Sequence, residues 1–453
     1  MDAVALSRLV AELGGELRGP DAEIVGAAID SRRVQPGELF IALPGSRVDG
    51  HDYVSAAGSA GAAAALVERA VPESLAQWIV PNAREMLRAL GCWVRRQCGG
   101  ARVVAVTGSN GKTTVKEMLA AILGRSGATL ATAGNYNNEL GLPLTLCRLQ
   151  RRHRYAVLEL GASAPGEILR LTQWSRPRVG VITNIGPAHL AGFGSVAGVA
   201  RCKGELFQAL PDDGIAVINA DDAFADLWRQ LAGSRRCITY GFFRQAEIRA
   251  RVAAQGGLDL HWGGERLALR LRLPGRHNQR NALASAAAAL ALGASGTAIR
   301  AGLEAMRPVP GRLCWRDGIG GARILDDTYN ANPASLAAAI RVLAESPGRR
   351  WLVLGDMAEL GDTAQRLHRR AGWLARAGGV ERLFVIGALA SDIAAGFGPG
   401  AERFDDREAL VEVLSGALGP GVAVLIKGSR SAAMEFVADR LAVGKPSAAG
   451  MEG

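Results

Sequence analysis

The sequence predicts an α/β protein of three domains. A central P-loop-type domain, built on a parallel sheet, is flanked by a small N-terminal α/β domain and a C-terminal Rossmann-like α/β domain. Three observations carry this expectation. The chain has 453 residues, about three times a common domain length. Short runs rich in Val, Ile and Leu recur at helical intervals, the pattern of strands buried on both faces of a parallel sheet. One such run, VVAVT (103–107), enters a glycine-rich turn that opens a helix, the sequence form of a phosphate cradle.

In chain order, residues 1–81 form the first unit. A helix is expected over Val4–Leu13, then β-like pieces in EIVGAAIDSR and GELFIALPG, then a helix feeding a strand in AAGSAGAAAALVE. The second unit, 82–310, begins with a helix around Arg84–Cys98. Strands follow at 103–107, 129–133, 155–160, 179–185 and 214–220, with a helix from about Lys112 and an Ala-rich helix over 281–293. Ala is the best helix former and the closing Gly is a stop signal. After the turn-rich VPGR (309–312), the third unit, 311–453, carries strands at 322–329, 350–356, 382–387 and 422–428.

Composition narrows the function. Apolar residues make up 49% and charged residues 21%, an ordinary globular balance that excludes global disorder. No apolar run approaches about 18 residues, so no membrane span is expected. The start, MDAVALSRLVAELGG, has neither the basic opening nor the long apolar stretch of a secretory leader. The six Cys include no C-x-x-C pair, which points to reduced thiols in a cytoplasmic protein. The formal charge is +10, but Arg is spread along the chain. A polyanionic small substrate, rather than nucleic acid, is the expected partner. A monomer is expected.

Only five of the 53 basic residues are Lys: 112, 116, 203, 427 and 445. Arg cannot replace a compact primary amine at a phosphate or in covalent chemistry, so each retained Lys invites a chemical explanation. Lys112 closes the turn Thr107-Gly108-Ser109-Asn110-Gly111-Lys112-Thr113-Thr114. Glycines let backbone N–H groups face an anion, Lys112 can reach phosphate oxygens, and Thr113 offers a hydroxyl to Mg²⁺. The strict G-x-x-x-x-G-K-[ST] pattern is not met, because Val106 stands at the first Gly position. Glu159, ending the run AVLEL, is the expected acidic metal ligand. His189 in TNIGPAHL follows another buried strand, where α/β sites form. Lys203 in RCKGELF reads either as an exposed helix residue or as a retained functional amine.

TGSNGKTT, GNYNNELGLP (134–143), LELG, TNIGPAHL, KGEL and GRHNQRNALA (275–284) together resemble the Mur ligase superfamily, ATP-dependent amino acid and peptide ligases of peptidoglycan synthesis. The resemblance spans essentially the whole chain. It implies ATP as co-substrate and two Mg²⁺ sites, with Thr113 and Glu159 at one and His189 with a carbamylated Lys203 at the other. It implies catalytic roles for Lys112, Lys203 and His189, and nucleotide contact by residues 107–114 and Asn281, more weakly by His277 and Asn278. Asn137 and Asn138 are implied as substrate-positioning amides, although turn-forming Asn is the competing reading.

The outer regions carry the resemblance further. DSRRVQPGELFIALPG (30–45) and VDGHDY (48–53) resemble a uridine diphosphate sugar pocket, with Ser31 and Arg32 near the nucleotide-sugar. DDTYNANPASL (326–336), LGDMAELG (354–361), His368 and KGSR (427–430) resemble the family members that join D-Ala-D-Ala to UDP-MurNAc-tripeptide. Arg312 and Asp327 are then expected to reach the nucleotide from the third domain. Asn330, Asn332, Asp356, Glu359, Lys427 and Arg430 are expected to face substrate. A sister amide ligase or a P-loop kinase is the alternative reading.

Overall fold

A computed structural model describes residues 1–45, 48–187, 190–253 and 257–444. His189, assigned above to a metal, lies outside the described residues.

Three α/β sheets follow one another along the chain. In the first, Glu16–Arg18, Ala76–Ile79, Ala64–Val67, Glu38–Ile41 and Gly26–Ala28 lie side by side. All pairs are parallel except the first, which is antiparallel. Buried Trp78 donates its indole N–H to the Gly14 carbonyl at 2.8 Å, so this large ring is both packed and satisfied. The first helix is shorter than expected. It spans Leu6–Leu13, because Val4–Ala5 pairs with Glu23–Ile24 as a strand.

The central sheet has nine strands. Its parallel part runs Thr129–Ala131, Tyr155–Glu159, Arg102–Thr107, Val179–Ile182, Ile215–Asn219, Arg236–Gly241 and Ile248–Val252. Period-two alternation divides its side chains between two layers. Val103 and Ala105 pack with Leu87, Leu142, Ile168 and Leu206. Val104 and Val106 pack with Val115, Met118 and the Ala-rich helix. A wholly parallel sheet was the expectation, and here the structure differs. Gly257–Trp262 and Glu265–Arg270 extend it in antiparallel register. The Ala-rich helix spans Arg276–Ala291, beginning five residues earlier than the apolar run indicates, since its first turn is polar.

The third sheet orders Cys314–Asp317, Arg323–Asp327, Val422–Lys427, Arg349–Gly355, Arg382–Ile386 and Ala401–Phe404. Only its first pair is antiparallel. The chain leaves Arg323–Asp327, passes over Val422–Lys427 and returns as Arg349–Gly355. Such an order reversal leaves a crevice beyond the strands' C-terminal ends, where Asp327, Lys427 and Asp356 stand. Among the described residues, no helix is long and apolar enough to cross a membrane.

Candidate active site

The strand Arg102–Thr107 ends at the turn that starts the helix Lys112–Leu123. Gly108 and Gly111 have φ of +145° and +79°, values that side chains rarely tolerate. A Cβ on Gly108 would collide with Thr183 Oγ1, and one on Gly111 would lie 2.5 Å from Asn281 Oδ1. The turn is clamped from beneath. Thr183 Oγ1 and Asn184 Nδ2 both donate to the Asn110 carbonyl, at 2.6 and 3.0 Å. Ser109 N–H donates to the Asn184 carbonyl at 2.9 Å. Thr183 and Asn184 lie in the TNIGPAHL segment, where the sequence pointed only to His189.

Lys112 Nζ donates to the Gly108 carbonyl at 2.9 Å. Burial pushes its pKa below the ordinary value; Glu159 opposes this and Arg312 adds to it. A bound polyanion would relieve that cost. Thr113 Oγ1 donates to Glu159 Oε2 at 2.8 Å, and Asn137 Nδ2 donates to Glu159 Oε1 at 2.8 Å. Both oxygens of this buried carboxylate are thus oriented. The Glu159 N–H donates to Thr132 Oγ1 at 3.0 Å, and the Thr132 carbonyl accepts from buried Lys116 at 2.7 Å. The paired amides separate here. Asn137 holds Glu159, whereas Asn138 Oδ1 accepts the N–H groups of Leu140 and Gly141 and shapes a turn.

Lys203 is 2% exposed, on the helix Val196–Gln208. The exposed-helix reading therefore fails. Its amine donates to the Ala162 carbonyl at 3.2 Å and lies 5.4 Å from the Phe193 ring centroid. Burial, and then the charge of Lys112, bring its pKa down to about 7. A neutral amine at physiological pH is therefore accessible.

The third sheet reaches into this centre. Arg312 Nη2 donates to Thr113 Oγ1 at 2.8 Å, and its guanidinium lies 4.0 Å from the Tyr329 ring centroid. Among the described residues, buried Arg312 Nε has no hydrogen-bond partner, an orphan donor that an anionic ligand would satisfy. Asn332 caps the helix Pro333–Ala344 in a capping box with Ser335. Its Nδ2 also donates to Asn110 Oδ1 at 2.7 Å, so its amide joins the third sheet to the phosphate turn. Asp327 meets Lys427 at 2.5 Å and accepts the Leu313 N–H at 3.2 Å. Burial raises its pKa and Lys427 opposes that. This buried pair braces the turn carrying Arg312.

The remaining predicted residues are placed as follows. Asn281 and Asn278 are buried in the first turns of the Ala-rich helix, their side chains 3.4 Å apart. Burial brings neighbouring His277 down to about 4, so its imidazole is neutral. Thr114 lies in the first turn of the helix after Lys112. Ser31 and Arg32 form a short 3₁₀ turn, with Arg32 paired to Asp30. The Asp356 carboxylate accepts N–H groups from Ala388 and Leu389, at 2.8 and 3.2 Å. Buried His368 accepts the Met357 N–H at 2.9 Å, a bond that shapes the same loop. Glu359 is exposed in that loop with φ of +63°. The exposed Arg430 pairs with Glu435 at 2.8 Å. Exposed Asn330 lends its carbonyl to Lys427 at 2.7 Å.

The donor set suits the groups the resemblance implies. Thr113 and Glu159 present adjacent hard oxygens, the ligands Mg²⁺ prefers. Lys112, Arg312 and the positive end of the helix Lys112–Leu123 meet around Thr113, the charges a polyphosphate needs.

Comparison with known proteins agrees with this geometry. Residues 23–92 match the Mur ligase family catalytic domain, 106–289 the Mur ligase middle domain, and 311–430 the Mur ligase glutamate ligase domain. The chain is 44% identical to the UDP-N-acetylmuramoyl-tripeptide–D-alanyl-D-alanine ligase of Escherichia coli, over 96% of this chain and 98% of that one. Its fold matches the crystal structure of MurF from Acinetobacter baumannii with a TM-score of 0.88 at 34% identity, covering 97% and 98% of the two chains. It also matches MurF from Thermotoga maritima in complex with ADP, with a TM-score of 0.79 at 29% identity, covering 92% and 96%. The chain belongs to the Mur ligase family.

Proposed function

We propose that this protein is the ATP-dependent ligase that joins D-Ala-D-Ala to UDP-N-acetylmuramoyl-tripeptide, forming the pentapeptide precursor of peptidoglycan. It acts as a monomer in the cytoplasm. The observation that carries this reading is the convergence on one hydroxyl. Thr113 Oγ1 meets Glu159 from the central sheet and Arg312 from beyond it, each at 2.8 Å, beside Lys112. The likeness to the E. coli ligase across nearly the whole chain adds the substrates. The working division is 1–81 for the UDP-sugar, 82–310 for ATP and 311–453 for the dipeptide.

The reaction has two steps. A terminal carboxylate oxygen of the tripeptide attacks the γ-phosphorus of ATP. A P–O bond forms, the bond to ADP breaks, and an acyl phosphate results. The D-Ala-D-Ala amine nitrogen then attacks the carbonyl carbon. The C–N bond forms, the amine loses a proton, and inorganic phosphate leaves.

Bringing a carboxylate to a triphosphate is a problem of anionic repulsion and orientation. Lys112, Arg312 and the positive end of the helix Lys112–Leu123 offset that charge. Asn281 contacts the nucleotide. Mg²⁺, held by Thr113 and Glu159 and at a second site by His189 and a carbamate on Lys203, would neutralise phosphate oxygens as a Lewis acid. Asn137 keeps Glu159 turned toward that position. The Asn332–Asn110 bond draws the third domain over the centre, which excludes water from the acyl phosphate. Ser31 and Arg32 hold the UDP-sugar. Asn330, Asp356, Glu359 and Arg430 border the dipeptide, with Lys427 and Asp327 supporting Arg312.

The test is phosphate release measured over a matrix of acceptors and amines. Release is expected only with ATP, UDP-MurNAc-tripeptide and D-Ala-D-Ala together, with either diaminopimelate or Lys tried as third residue. Release driven by a single amino acid and a shorter acceptor would assign a sister ligase. A phosphorylated product resistant to hydroxylamine would assign a kinase.

Arg312→Ala is expected to raise the KM for ATP ~10-fold, the worth of one charge-assisted hydrogen bond, with smaller change in kcat. Steady-state kinetics at varied ATP checks this, and an unchanged KM would remove Arg312 from the nucleotide site.

A further inference from the structure

A cleft lies away from this centre. It encloses about 800 Å³ and is walled by Arg95, Arg96, Arg102, Arg176 and Arg178, with Asp213 the single acid. Arg102 opens the strand whose other end is Thr107, so the cleft sits at the opposite edge of the central sheet from the phosphate turn. A six-residue strand puts ~20 Å between the two.

Part of the basic charge has a structural task. Helices Ala83–Gln97, Glu167–Ser175 and Arg276–Ala291 all end here, and a helix C-terminus carries about half a negative charge. Arg95 donates to the carbonyls of Ser175, Cys98 and Arg176, at 2.8, 3.2 and 3.2 Å. Arg102 donates to the Leu292 carbonyl at 3.0 Å, and Arg178 pairs with Asp213. Five guanidiniums against one carboxylate still leave four positive charges. Three helix ends offset only about one and a half of them.

The surplus is held in place. Arg176 has φ of +45° and ψ of +64° at its helix end, a left-handed conformation that is strained for an L-residue and that Gly would adopt freely. Burial, and then the charge of Arg176, weigh against the charged form of Arg95. Arg95 is spent on backbone carbonyls and shapes the cleft, whereas exposed Arg96 and Arg176 stand at its rim, placed to meet phosphate oxygens. Guanidinium forks match those oxygens in pairs.

We propose that this arginine-walled cleft is a second anion site, which binds a small molecule bearing a di- or triphosphate group at the edge of the sheet remote from the ATP turn. Its volume is that of a small-molecule site, and its charge suits an anion of two to four negative charges. The strand Arg102–Thr107 and the helix Arg276–Ala291 join it to the phosphate turn and to Asn281.

The experiment is calorimetric titration of the full chain with inorganic triphosphate, after the first site is saturated with a nonhydrolysable ATP analogue. One saturable equivalent is expected. Arg96→Glu/Arg176→Glu is expected to weaken it at least ~10-fold, while ligase turnover without added triphosphate stays unchanged. Arg366→Glu/Arg370→Glu, which removes the same charge elsewhere, is expected to leave binding intact. The milder Arg96→Gln/Arg176→Gln pair, with its thermal unfolding, separates lost binding from lost folding. Absence of a saturable second equivalent, or equal weakening in the control pair, would overturn the proposal.

Discussion

Lys203→Arg is expected to lower kcat by ~10³-fold or more, about 4 kcal/mol of transition-state stabilisation. The substitution keeps a long basic side chain and loses the chemistry. A carbamate needs a neutral primary amine and carbon dioxide, and Lys203 offers an amine whose pKa falls to about 7. Arg stays protonated at any working pH and forms no carbamate. Lys203 is 2% exposed, so the larger guanidinium also has to be accommodated, and thermal unfolding must accompany the kinetics. Two further readouts isolate the carbamate from packing. Wild-type activity is expected to fall in carbonate-free buffer and recover with bicarbonate. Protein equilibrated with ¹³C-bicarbonate is expected to show a carbamate resonance that Lys203→Arg lacks. Full activity in the variant would make Lys203 a packing residue.

Lys112→Ala is expected to cost ~10³-fold in kcat/KM, again about 4 kcal/mol. Lys112 is the one amine in the phosphate turn, and in this structure it folds back onto the Gly108 carbonyl at 2.9 Å. Exchanging that bond for phosphate oxygens relieves a buried cation whose pKa is pushed down by its surroundings. Stability is expected to move the other way, because alanine removes the cost of burying an ammonium. A more stable and nearly inactive variant is therefore the signature, read by thermal unfolding beside phosphate release. Lys112→Arg keeps the charge, but its planar fork does not fit where one compact amine reaches the phosphates. It is expected to recover little.

Much of the site is local in the chain, and that part was legible. The phosphate turn lies within eight consecutive residues, and a retained Lys in an Arg-dominated chain drew attention to Lys203 before its burial was known. Five strands of the central sheet's parallel part, up to Ile215–Asn219, announced themselves through continuous apolar runs, the mark of strands buried on both faces. The segment from Arg236 to Arg270 gave no such signal. Ile248–Val252 and Glu265–Arg270 alternate buried and exposed residues, with Arg and Glu on the open face, so no apolar run forms. The helix Arg276–Ala291 hid its start for a related reason. RHNQR is polar, with Arg276 and Arg280 exposed and Asn278 buried beside Asn281.

Pairings between remote segments were beyond reach. Asn332 looked like a substrate amide, yet it caps a helix and bonds Asn110, 222 residues away. Asn137 and Asn138 are neighbours of one type in one motif, and only their surroundings distinguish the residue that orients Glu159 from the one that shapes a turn. The arginine cleft was equally invisible, since its five side chains come from three separate stretches of a uniformly Arg-rich chain.

The most direct test is a crystal structure of the protein with a nonhydrolysable ATP analogue and Mg²⁺. The triphosphate is expected along 108–114, with Lys112 released from the Gly108 carbonyl, Arg312 on a phosphate oxygen, and the metal between Thr113 and Glu159. A triphosphate bound elsewhere while that turn stands empty would contradict the assignment at its root.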